Sequence, residues 1–82
     1  MNSLYNLAGR QISVIRADIS TYSADPIGGA TRRTHITSAL SALIKTIEDY
    51  EAMAKRELVV AKREKALARV ANLHQEVRQL RE

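Results

Sequence analysis

Between residues 4 and 22 apolar side chains fall at Tyr5, Ala8, Ile12, Ile15, Ile19 and Tyr22, separated by three, four, three, four and three residues. Alternating steps of three and four keep side chains on one face of an α-helix, so this stretch predicts a helix with one buried stripe. Asn2 or Ser3 is placed to cap its start. Gly9, beside Ala8, is the weak point of the helix unless it lets a neighbour approach closely. Pro26 disfavours helical geometry at Asp25, and Gly28-Gly29 add a flexible joint, so a loop is expected over 23–33. A second stripe runs through Ile36, Leu40, Leu43, Ile47, Tyr50 and Ala54, widened by Ala39 and Ile44, with Thr34 as the expected cap. Glu51 and Lys55 are spaced as an i,i+4 ion pair on its outer face.

The third stripe is out of phase with the second. Continued at the same rhythm, the second would pass through Glu57, Ala61, Glu64, Ala68, Ala71 and Gln75, which make no core seam. The apolar positions are instead Ala66, Val70, Leu73, Val77 and Leu80, displaced by two residues or about 200° around a helix. A break near Glu57–Val60 restores a single core, and the β-branched Val59-Val60 pair is a tolerable place for it. The other arrangement is one helix of about 50 residues whose halves face different partners, as in a homodimeric coiled-coil scaffold. With the break, helices of about 3–22, 34–56 and 61–82 have matched lengths of roughly 30 Å. They predict one all-α domain over 1–82, an antiparallel up-down-up three-helix bundle.

Composition agrees with helices. The 82 residues include three tyrosines, no Trp, no Phe, three Gly and one Pro, too few turn formers and aromatics for a β domain. The absence of cysteine excludes disulfides and thiolate metal sites. Domains this small bury roughly 60% of their unfolded surface and have stabilities on the order of 4–12 kcal/mol. Arg10 and Arg16 interrupt the N-terminal apolar stretch, so no signal peptide is expected. No apolar run approaches the roughly 18–20 residues that span a bilayer, and the chain reads as soluble.

Candidate chemistry is sparse. His35 and His74 fit no metal-ligand spacing. Glu48, Asp49 and Glu51 read as a solvated face, because adjacent helical positions diverge in direction. Gly28-Gly29 lacks the frame of a phosphate loop. Neither a catalytic residue, a cofactor, a metal site nor a small-molecule substrate is expected, and the chain does not read as an enzyme. Charge is the distinctive feature. Lys55, Arg56, Lys62, Arg63, Lys65 and Arg69, offset by Glu57 and Glu64, give the 55–69 stretch +4, equal to the net charge of the chain. Such a stretch is either a solvated helix surface or a docking patch for phosphates or an acidic partner. It carries no stacking aromatic, so specific single-stranded nucleic-acid binding is not expected. A basic nucleic-acid-binding module remains the alternative from another functional class.

The opening Met1-Asn2-Ser3-Leu4-Tyr5-Asn6, with Ala8 and Gln11, resembles the start of membrin-type Qb-SNAREs of the ER–Golgi pathway. The stretch from Ser38 to Tyr50, with Met53-Ala54-Lys55-Arg56-Glu57, resembles the second helix of fungal members. The resemblance implies an N-terminal three-helix regulatory domain separated from the SNARE motif and membrane anchor, both absent from this chain. It implies a role in ER-to-Golgi vesicle transport and membrane fusion, on the cytosolic face of ER and Golgi membranes and transport vesicles through a membrane-anchored parent chain. Implied partners are SNARE-regulating proteins of the tether or SM type and the parent's own SNARE motif. The residues expected to meet a partner are Asn2, Leu4 and Asn6 at the start, and Lys55, Arg56, Lys62, Arg63 and Lys65 in the basic stretch.

Overall fold

Three helices account for nearly all of residues 2–24 and 29–81, which the computed structural model describes. Helix α1 spans Asn2–Ala24, α2 Gly29–Lys55 and α3 Val60–Arg81. The expected turn at Asp25–Gly28 and the side chain of Tyr22 lie outside the described residues. Asn2 and Ser3 lie inside α1. Helix α2 reaches back to Gly29, so the loop is shorter than 23–33 and Thr34 is an interior residue, not a cap. The correction has a simple cause. Past Pro26 only the glycines oppose helix, and Ala30 through Arg33 propagate it backwards at modest cost.

Chain direction follows from side-chain contacts. The Tyr5 and Tyr50 rings lie 5.8 Å apart, and Asp18 meets His35 at 3.3 Å, so α1 and α2 are antiparallel. Arg69 stands over Tyr5 and Arg16 pairs with Glu76, so α3 returns parallel to α1. The helices form an up-down-up bundle, an elongated body of 50 × 16 × 16 Å. Helix α1 packs chiefly on α2, and α2 on α3.

The core follows the three stripes. Ala8, Ile12 and Ile15 from α1 meet Leu43, Ile47, Tyr50 and Ala54 from α2, and Ala66, Val70, Leu73 and Val77 from α3. Leu4, Tyr5, Ile19, Ile36, Leu40 and Leu80 are partly buried against this core. Thr46 is buried on α2, where its hydroxyl donates to the Ala42 carbonyl at 3.1 Å. Gly9 has nothing within 4 Å of where a Cβ would stand. It therefore does not serve close helix approach.

The break falls at residues 56–59, and residues 34–82 do not form the single helix a coiled-coil scaffold would need. The Arg56 N–H donates to Met53 O at 3.1 Å and the Glu57 N–H to Ala54 O at 3.2 Å, tightening the end of α2. The Arg63 N–H donates to Val59 O at 2.9 Å, which makes Val59 the N-cap position of α3. Valine has no capping oxygen; the Glu57 Oε1 accepts the N–H of Val59 itself at 3.1 Å. Four residues reset the helical phase and place Ala54 and Ala66 in the same core.

Candidate functional site

The turn at 56–59 and the start of α1 share one end of the bundle, because α1 and α3 run parallel. This brings the two sequence segments expected to meet a partner together. Asn2 of α1 and Glu57, Lys62, Lys65, Ala66 and Arg69 line a cleft of about 360 Å³. Arg69 anchors it. Its Nη1 donates to Asn2 Oδ1 at 3.3 Å, while its guanidinium lies 4.4 Å from the centre of the Tyr5 ring. A cation over an aromatic face is held by the ring quadrupole, worth about 0.5–1 kcal/mol at exposed sites.

The expected site residues take different places. Asn2 is exposed and spends its carboxamide on Arg69 instead of capping. Leu4 is half-buried against the core, so its side chain is part of the packing. Asn6 is exposed and lines a second depression, between α1 and α3 beside Gly9 and Asn72. Lys55 is exposed and paired with Glu51 at 3.8 Å. Arg63 is half-buried, its Nη1 donating to the Glu57 carbonyl at 3.3 Å. Arg56, Lys62 and Lys65 are exposed. Arg69 completes the cleft and rests on the Tyr5 ring, and neither is among the expected contact residues. Arg69 was visible as part of the basic stretch, whereas its meeting with Asn2 depends on the tertiary fold.

Elsewhere the charges resolve into surface pairs. Lys45 Nζ donates to Asp49 Oδ1 at 2.7 Å, and that hydrogen bond, with the Asp49 charge, holds the ammonium above its ordinary pKa. Asp49 and Glu51 therefore each face a lysine. His35 Nε2 lies 3.3 Å from Asp18 Oδ2 without hydrogen-bond geometry. Exposed pairs of this kind contribute about 0–1 kcal/mol each. The Tyr50 hydroxyl is buried, with no hydrogen-bond partner among the described residues. Among the described residues no group of three or more His, Cys, Asp or Glu could hold a metal ion, and no helix is long and apolar enough to cross a membrane.

Fold and surface together define a class: an all-helical bundle whose exposed chemistry is positive charge gathered at one end. The family described as BOS1/GOSR2/MEM11, N-terminal domain, matches residues 1–82, and the chain belongs to it. It is the N-terminal domain of a membrin-type SNARE. The curated relative "Protein transport protein BOS1" of Yarrowia lipolytica (strain CLIB 122 / E 150) is 30% identical over 78 residues, covering 94% of this chain and 34% of the relative. The chain thus spans about a third of that relative's length. No solved structure matches.

Proposed function

We propose that this domain regulates a Qb-SNARE in ER-to-Golgi vesicle transport by offering a docking surface to tethering or SM-type factors. The surface comprises the basic end and its α1–α3 flank: Asn2, Asn6, Lys55, Arg56, Lys62, Arg63 and Lys65, with Leu4 setting the position of the first turn. The observation that supports it is the cleft in which Asn2 meets Lys62, Lys65 and Arg69. Two segments 60 residues apart in the chain form one polar, cationic surface there. Exposed cations around a cleft favour an acidic partner and raise its association rate.

The test is charge reversal in the membrane-anchored parent, with Lys62→Glu and Lys65→Glu together. Both side chains are exposed, so the bundle should stay folded by circular dichroism. The expected result is slowed ER-to-Golgi cargo transport and weaker co-purification of a tether or SM factor, with SNARE-complex assembly unchanged. Transport and co-purification at wild-type levels would sink the docking reading. A titration with DNA and RNA at two salt concentrations separates this from nucleic-acid binding, which would be tight and strongly weakened by salt.

A further inference from the structure

At the tip of the bundle three apolar residues in succession face water. Leu58 is 91% exposed, Val59 49% and Val60 54%. A connecting turn has no folding need for such residues, since polar side chains serve turns and avoid the cost of exposed hydrocarbon. The tip is also held in shape. Hydrogen bonds from Arg56 N–H, Glu57 N–H and Val59 N–H, and from the Arg63 guanidinium to the Glu57 carbonyl, fix the backbone around Leu58. Exposed cations flank it: Lys55 and Arg56 at the end of α2, and Lys62 in the first turn of α3.

We propose that this tip is a membrane-contact element, in which Leu58, Val59 and Val60 enter the acyl boundary of an anionic bilayer while Lys55, Arg56 and Lys62 meet lipid headgroups. Charge complementarity selects the occupant. The cytoplasmic surface of anionic membranes attracts clustered Lys and Arg, and each cation near it strengthens binding about fivefold. Shape decides against a protein as the partner of the tip itself. A standard protein interface takes about 800 Å² from each side, and three apolar side chains on one turn offer less. Insertion of a few apolar side chains needs no such area. Lys55, Arg56 and Lys62 are shared with the docking surface, but Leu58, Val59 and Val60 lie outside it, so Leu58→Ser tests the membrane contact without touching the docking reading.

The experiment is co-sedimentation of this chain with vesicles of phosphatidylcholine alone, or with about 30% phosphatidylserine, at two salt concentrations. Binding is expected to the anionic vesicles only, weakened by salt. Leu58→Ser should lower it about tenfold or more, and Lys55→Gln and Lys62→Gln about fivefold each, with helix content unchanged. Leu58→Trp gives the chain its single tryptophan, whose emission should shift to the blue and be quenched by brominated acyl chains. Absence of binding to anionic vesicles overturns the proposal, as does equal binding to both compositions. Indifference to Leu58→Ser overturns insertion, and retention on polyglutamate without vesicle binding assigns the patch to an acidic protein.

Discussion

Replacing Tyr50 by phenylalanine removes one oxygen from the interior and leaves the ring. Tyr50 is 0% exposed, and its hydroxyl has no hydrogen-bond partner among the described residues. Burying a hydroxyl without a partner costs about 1–3 kcal/mol relative to water. Tyr50→Phe relieves that cost and keeps the contact with Tyr5, whose ring centre is 5.8 Å away. Against the gain stands the space vacated by one oxygen, on the order of 10–15 Å³. At about 24 cal/mol per Å³ of cavity, that is roughly 0.2–0.4 kcal/mol. The net expectation is stabilisation by about 1 kcal/mol. In a domain of this size it raises Tm by about 4–8 °C. Urea and thermal unfolding followed by circular dichroism at 222 nm read it directly. A loss of about 1 kcal/mol or more would refute the reasoning, because only a hydroxyl that is hydrogen-bonded in the folded state is missed in that way.

Gly9→Ala should stabilise by about 0.5–1 kcal/mol, since the site is helix interior with open space for a Cβ; no change in urea midpoint would count against it. Ile47→Ala should cost about 2–5 kcal/mol, a large part of the stability of so small a domain, and shift the urea midpoint accordingly because Ile47 is fully buried. Val60→Pro should change stability by less than about 0.5 kcal/mol, because Val60 is the first residue of α3, where proline's fixed φ is suited and its missing N–H has no intrahelical partner. In a continuous helix across 34–82 the same substitution would cost about 3 kcal/mol, so a loss of that size in the melting curve excludes the break.

Sequence periodicity located the core because each helix buries one stripe and little else. The buried residues of α2 end at Ala54 and those of α3 begin at Ala66, where the two-residue shift of phase put them. The start of α2 was less legible. Thr34 can accept a hydrogen bond at a helix start, but that local preference competes with helix propagation through Ala30–Arg33, and propagation prevails. The site was legible only in halves. A run of cations can be read along the chain, yet its meeting with Asn2 depends on α1 and α3 running parallel. The Tyr5–Arg69 contact likewise joins residues 64 apart. The missing partner of Tyr50 could not be read either, since spacing places a ring in a core but says nothing of what its hydroxyl reaches.

The break itself carries the last step. Folding requires only that four residues reverse the chain and reset the phase, and glycine, asparagine or serine would do so at less cost. Valine at the N-cap has no side-chain oxygen for the free N–H groups of the first turn, and the Glu57 carboxylate satisfies only the Val59 N–H itself. The sequence therefore accepts a poor cap and three exposed apolar side chains at the one place where the fold would be served by polar ones. A single exposed hydrophobe needs no account. A consecutive Leu58-Val59-Val60 set on a hydrogen-bonded turn between cations breaks local preference in residue type, exposure and capping together, and such concentrated departures mark positions kept for contact with something outside the fold. Polar substitution there separates the two demands: it should leave the bundle as stable or more so, and weaken only what the tip touches.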